Sequence, residues 1–299
     1  MSTLTIGFVG LGNMGWPMAA NLHAAGFPLV VRDVDTARQD AFASECSGTG
    51  HPAVATAVTP DAFEAASIVV TMLPNGAVVQ DALLGWGIAD ALPEGALAIE
   101  MSSSDPADTL KLGADLARHD VVLIDAPVSG GVPRAVTGEL SLMVGGTDLD
   151  VARAQPVLRV LGDPARQFRT GGLGSGHAMK ALNNVIAAAT TCVTAEALVA
   201  GTRFGLDPAT MLDVINSSTG SSFVSGIFTS EVITGRYGTG FALGLLAKDV
   251  RIAASVAAAA GVDTPAISLT AERWAQALAE LGPAADQSTA HQAWWPDKF

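Results

Sequence analysis

Apolar residues follow two rhythms along this chain, and the change falls near residue 174. Before it, short apolar runs occur at residues 4–9 (LTIGFV), 28–31 (PLVV), 67–74 (SIVVTMLP), 95–102 (GALAIEMS) and 120–125 (DVVLID). Runs this short and continuously apolar predict strands buried on both faces. Each is followed by a helical stretch, as Met18, Leu22 and Ala25 follow the first. That alternation predicts a parallel sheet with helices on both faces, an α/β Rossmann-type domain.

After residue 174 the chain is alanine-rich and strand formers no longer cluster. Residues 174–205 predict one helix of about 30 residues, roughly 45 Å long, and a helix of that length in a globular chain usually joins domains. Further helices are expected near 208–217, 222–234, 241–260 and 265–281, with turn signals (GLDP, NSSTGSS, GRYGTG, AGVDTP) between them. The expected organisation is a Rossmann domain over 1–163 and an all-α C-terminal domain over 164–299, joined by the long helix.

The turn after the first strand carries the first candidate chemistry. Gly10-Leu11-Gly12-Asn13-Met14-Gly15 has G-x-G-x-x-G spacing between a strand and a helix. The first glycine permits the tight turn, the second lets a pyrophosphate approach the backbone, and the third lets the helix pack closely, while the helix N-terminus attracts phosphate charge. Asp33 follows Gly15 by 18 positions, where a carboxylate accepts the ribose hydroxyls of NAD. Asp33 and Asp35 would repel a 2′-phosphate, and Arg32 should point the other way by strand alternation. NAD is therefore expected over NADP. Leu73-Pro74, Ser102 and Ser103 fall at strand ends, where they either line the cofactor groove or, for the serines, cap the helix starting near Asp105.

Composition narrows the classes. The chain has 299 residues, 49% hydrophobic and 15% charged, long enough for one large domain or two ordinary ones. A net charge of -13 argues against a nucleic-acid binder, which needs a basic face. Cys46 and Cys192 match neither a metal spacing nor a disulfide framework and are expected to be buried; no metal is expected. No apolar run reaches about 18 residues, so no membrane span is expected. The first apolar stretch has no basic leader, so it does not read as a signal peptide. A cytoplasmic protein is the expectation.

Two further stretches draw attention. In residues 125–146 (DAPVSGGVPRAVTGELSLMVGG), Ser129, Gly130 and Gly131 expose consecutive backbone N–H groups beside a hydroxyl. That donor set suits a carboxylate; a glycine-rich hairpin is the plain alternative. Lys180 and Asn184 in residues 174–185 (GSGHAMKALNNV) lie one helical turn apart and share a face. A lysine desolvated there could exchange a proton with a substrate hydroxyl, with the asparagine fixing the oxygen; an ordinary surface lysine is the alternative. His177 is expected to serve the helix start or packing. Arg134 is either a solvated loop residue or meets a second anionic group. The tail HQAWWPDKF covers a pocket mouth or packs on a neighbouring subunit.

Four motifs in order, GFVGLGNMGWPMAANL (7–22), DAPVSGGVPRAVTGELSLMVGG (125–146), GLGSGHAMKALNN (172–184) and LLAKDVRIA (245–253), resemble those of the β-hydroxyacid dehydrogenase family over essentially the whole length. The resemblance implies that Lys180 is the catalytic lysine and Asn184 its neighbour at the site. It implies that Ser129, Gly130 and Gly131 grip the substrate carboxylate, that Leu73, Pro74 and Ser103 contact the cofactor, and that Lys248 reaches the nicotinamide with Asp249 as companion. The implied activity is NAD-dependent hydride transfer at the β-carbon of a small 3-hydroxy acid (3-hydroxyisobutyrate-like). Reduction of a semialdehyde such as tartronate semialdehyde, oxidation of a sugar acid such as threonate, and a non-catalytic NAD sensor are the alternatives. Ser221 stands where members of the family often carry an arginine, so no relative's specificity transfers. A homodimer or homotetramer is expected.

Overall fold

A computed structural model describes residues 4–48 and 50–295. The chain divides into two compact units, Met1–Lys180 and Ala181–Phe299.

Among the described residues the first unit is built on nine strands: β1 Thr5–Val9, β2 Leu29–Arg32, β3 Val54–Thr56, β4 Ala66–Thr71, β5 Leu97–Glu100, β6 Val122–Asp125, β7 Val128–Ser129, β8 Leu140–Gly145 and β9 Gly162–Gly171. Their order is β3-β2-β1-β4-β5-β6-β8-β7, with β9 paired to β8. Strands β1 to β6 pair in parallel, and β8 runs antiparallel to β6 and β7. The expected doubly covered Rossmann sheet is present. Its apolar runs bury both faces: on β4, Ile68 and Val70 join one core cluster and Val69 the other. The sequence rhythm placed the domain division at 163/164, whereas β9 and the first six residues of the following long helix belong with the sheet unit. The glycine-rich turn at 129–131 is no hairpin. It links β7 to a short helix, Gly131–Thr137.

The second unit is helical. The long helix Ser175–Phe204 runs into it from the first unit, and helices Pro208–Asn216, Leu243–Ala259 and Pro265–Leu281 follow. The expected helix at 222–234 is an α-helical turn, Phe223–Ile227, passing into a π-helical one, Phe228–Val232. Ala181, Val185, Ala188 and Cys192 of the long helix pack with Leu246, Val250, Ala253, Trp274 and Trp294.

By length and composition alone the long helix is apolar enough to cross a membrane, although no run of consecutive apolar residues within it reaches 18. Asparagines and threonines interrupt the apolar run without adding charge, which is why counting consecutive apolar residues overlooked it. One face packs within the helical unit, while Ile186, Val193 and Phe204 on the same helix are exposed. Trp294 is buried in its own unit, edge-on to Trp274 at 5.8 Å, and donates its indole N–H to the Arg273 carbonyl. Residues 296–299 of the tail lie outside the described residues.

Candidate active site

The turn between β1 and the helix Gly15–Ala24 has the shape its glycines require. Gly10 has a φ of 99°, and a Cβ there would stand 2.3 Å from the Met72 carbonyl oxygen. A Cβ on Gly15 would stand 1.8 Å from the Gly10 oxygen, so helix and turn touch through backbone. Nothing lies within 4 Å of a Cβ on Gly12. The turn is therefore tight at its ends and open in the middle, and no side chain caps the helix behind it. That combination fits a pyrophosphate.

Asp33 stands just past β2, buried. Its Oδ2 accepts the Leu11 N–H at 2.7 Å and its Oδ1 the Asp35 N–H at 2.9 Å, which ties the acid to the glycine turn. The carboxylate keeps lone pairs beyond those two bonds for ribose hydroxyls. Arg32 diverges as strand alternation requires. Its guanidinium donates to the Asp33 carbonyl and to Gln39, and lies 4.6 Å from the Trp86 ring centroid.

The serines after β5 do not cap the next helix, since Asp105 does so by accepting the Ala107 N–H at 3.0 Å. Ser102 instead accepts the Leu73 N–H on its Oγ at 2.9 Å, fastening the segments that carry Leu73-Pro74 and Ser103 to each other.

After β6, Ser129 ends β7, and Gly130 and Gly131 have φ values of 131° and 63°. A Cβ on Gly130 would strike the half-buried stem of Arg134, with Cδ at 2.5 Å. The first turn of the long helix is packed against the residues that lead into this segment. A Cβ on Gly176 would meet the Met143 carbonyl oxygen at 2.2 Å, Asp125 Oδ2 at 2.9 Å and Pro127 Cδ at 3.1 Å. Asp125 accepts the N–H groups of Gly174 and His177, each at 2.8 Å, and so ties down the helix start before Lys180 enters its second turn. Lys180 itself is half-buried.

Sequence reasoning overlooked a buried cluster beside this helix start. His177 Nε2 is 2.5 Å from Glu100 Oε2, and its Nδ1 is 2.8 Å from the Thr109 hydroxyl. Burial by itself would push the Glu100 carboxyl up. The His177 ring and hydrogen bonds from Ser102 outweigh burial and hold it below its ordinary 4.5. The available signal was that buried strands β5 and β6 both end in an acid.

In the helical unit, Asn184 donates its Nδ2–H to Asp249 Oδ2 at 2.6 Å, and Lys248 Nζ is 3.4 Å from Asp249 Oδ1. The three residues named from sequence in this unit are thus one connected group. Cys46 and Cys192 are both buried, and burial raises the Cys192 thiol to about 12.

A turn open to a pyrophosphate, followed by a strand-end acid, places the first unit among the dinucleotide-dependent dehydrogenases. Residues 5–195 match the model of the NAD binding domain of 6-phosphogluconate dehydrogenase, and residues 174–294 that of the NAD-binding region of NADP-dependent 3-hydroxyisobutyrate dehydrogenase. The human mitochondrial 3-hydroxyisobutyrate dehydrogenase is 36% identical over 261 residues, covering 84% of this chain and 75% of that protein. The 2-(hydroxymethyl)glutarate dehydrogenase of Eubacterium barkeri is 33% identical over 272 residues, covering 90% and 88%. The solved structure of the Mycobacterium tuberculosis 3-hydroxyisobutyrate dehydrogenase with L-serine superposes with a TM-score of 0.86 at 31% identity, covering 98% of this chain and 99% of that one. The chain belongs to the β-hydroxyacid dehydrogenase family. Its activity is that of an NAD-dependent hydroxyacid dehydrogenase.

Proposed function

We propose that the chain moves a hydride between NAD and the β-carbon of a small 3-hydroxy acid of the 3-hydroxyisobutyrate type, with Lys180 as the proton-transfer group. The observation that supports this most is the packing at Gly176. It fastens the helix of Lys180 against the Asp125–Pro127 segment that leads straight into Ser129, Gly130 and Gly131.

The residues divide the work. NAD, when bound, accepts or returns the hydride. Gly10, Leu11, Gly12, Asn13, Met14 and Gly15 hold its pyrophosphate, and Asp33 its ribose. Asp33 and Asp35 oppose a 2′-phosphate, so NAD is preferred over NADP. Leu73, Pro74, Ser103 and Lys248 complete the cofactor contacts. Ser129 and the two glycine N–H groups hold the substrate carboxylate, which leaves the β-carbon presented for reaction. Lys180 takes the hydroxyl proton in oxidation and returns it in reduction. Asn184, one turn further on, fixes the hydroxyl oxygen.

Relatives named for 3-hydroxyisobutyrate and 2-(hydroxymethyl)glutarate support a branched hydroxymethyl acid. L-serine, which accompanies the M. tuberculosis enzyme in its solved structure, has the same arrangement of carboxylate and β-hydroxyl. An NAD-linked activity screen over 3-hydroxyisobutyrate, glycerate, L-threonate, L-serine and sulfonated analogues tests the assignment. The highest kcat/KM is expected with 3-hydroxyisobutyrate; turnover of L-threonate alone would replace it with the sugar-acid reading.

The protein is further proposed to be a cytoplasmic homodimer or homotetramer. Ile186, Val193 and Phe204 of the long helix are 66%, 65% and 86% exposed, an apolar series that a second copy would cover. Sedimentation at micromolar concentration that shows only the 30.3 kDa species contradicts this.

A further inference from the structure

We infer that His177, held by Glu100 and Asp125, is a positioning residue that sets where Lys180 stands relative to the cofactor edge of the sheet. The inference rests on the reading of Lys180 as the proton-transfer group.

Three ionisable side chains meet here with almost no access to water: His177, Glu100 and Asp125 are each at most 2% exposed in their side chains. The ring has a fixed orientation. Thr109 donates its hydroxyl hydrogen to the Asp105 carbonyl at 3.0 Å. It can therefore only accept from His177 Nδ1. The other ring nitrogen faces the Glu100 carboxylate. Asp125 Oδ2, which accepts the His177 backbone N–H, is also 3.7 Å from Nδ1.

Such a cluster is a poor way to gain stability, because desolvating buried ions offsets most of their attraction and an apolar filling of the same volume does as well. What it fixes is direction. One rotation of the helix about its axis lets Asp125 accept the N–H groups of Gly174, just before the helix, and of His177 while the ring meets both Thr109 and Glu100. Lys180 follows His177 by three residues, a rise of about 4.5 Å, so a turn or slide of the helix at His177 reaches Lys180 almost undamped.

Glu100 connects this joint to the cofactor side. Its Oε1 accepts the Ser102 N–H at 2.9 Å, and Ser102 Oγ accepts the Leu73 N–H at 2.9 Å. One carboxylate thereby holds the segment of Leu73 and Ser103 at one oxygen and the lysine helix at the other. A misplacement of about 1 Å at reacting groups can cost on the order of 10² in rate, which is the reason to spend buried charge on alignment.

The test uses the full chain with 3-hydroxyisobutyrate and NAD, comparing His177→Ala, His177→Gln and Lys180→Ala. Expected for His177→Ala is a kcat about ten- to a hundredfold lower. KM and the Kd for NADH, read by fluorescence titration, should stay within about threefold. His177→Gln keeps an N–H for Glu100 and should recover most of kcat. Amide hydrogen exchange at residues 174–180 of the cofactor-free protein should quicken in His177→Ala and return towards normal in His177→Gln. A kcat within twofold of the parent in His177→Ala overturns the inference, as does a loss of NADH affinity parallel to the loss of kcat, which marks a merely structural cluster. If His177→Ala does not fold, Glu100→Gln is read by the same split, with unchanged kcat again overturning it. An undiminished kcat in Lys180→Ala would instead refute the proton-transfer reading itself.

Discussion

The two units bury carboxylates by different means. In Met1–Lys180, the buried acids Asp33, Glu100 and Asp125 stand at the ends of β2, β5 and β6 and accept main-chain N–H groups: Leu11 and Asp35, Ser102, and Gly174 with His177. In Ala181–Phe299, Asp249 is buried on the helix Leu243–Ala259 and is met by the side chains of Asn184 and Lys248. The cause is where free backbone groups exist. A strand end opens into a turn whose N–H groups have no ladder partner, so an acid there finds donors already in place. A helix interior satisfies its own backbone, so an acid on it must recruit side chains. The sheet unit therefore anchors its buried acids on main-chain donors, with the His177 side chain added at Glu100, whereas the helical unit holds Asp249 through side chains.

Substitutions should separate the two designs. The largest effect is expected at Gly15, where a Cβ would stand 1.8 Å from a backbone oxygen that cannot move aside. Gly15→Ala should cost more than the roughly 1–3 kcal/mol of ordinary overpacking and abolish NAD binding, as read by thermal unfolding and NADH fluorescence. Asp33→Ala should follow. Loss of charge-assisted hydrogen bonds worth about 1.5–3 kcal/mol raises the Kd for NAD about ten- to a hundredfold, and the preference over NADP narrows. Equal or better kcat/KM with NADP in the parent protein would refute the NAD assignment.

In the helical unit, Asp249→Asn should be milder. Asn184 keeps a hydrogen-bonding partner but loses a charged one, so kcat should fall by about tenfold or less while the Kd for NAD holds. A loss as severe as at Asp33 would break the distinction between the units.

The smallest effect concerns acid. Because the folded Glu100 carboxyl lies below its ordinary 4.5, its contribution to stability is present above that value and is lost as pH falls through the folded pKa. Denaturant unfolding below pH 5 should show a shallower pH dependence in Glu100→Gln than in the parent; an identical slope would mean the ion pair with His177 adds nothing.

Much of this was readable from residue order. The strands β1, β2, β4, β5 and β6 announce themselves because burial on both faces demands unbroken apolar runs, and the glycine turn, Asp33, Lys180 and Asn184 sit in local motifs. Other elements left no such signal. Strand β3 has only three residues, and β9 (GDPARQFRTG) is polar because it pairs with β8 alone and leaves much of its surface in water. Beyond the acids that end β5 and β6, the cluster of Glu100, Thr109, Asp125 and His177 left no signal, because it assembles residues up to 77 positions apart, the separation of Glu100 and His177. No local spacing encodes that meeting, which only the sheet order produces.

The central claim, that Lys180 transfers the substrate proton, is tested most directly by the kcat of Lys180→Arg measured beside Lys180→Ala. A guanidinium cannot give up its proton near neutral pH, so both variants should lose about 10² or more in kcat with NADH affinity nearly unchanged. A Lys180→Arg enzyme with near-normal kcat and damage confined to KM would contradict the account, leaving the lysine as a charge that only attracts the carboxylate.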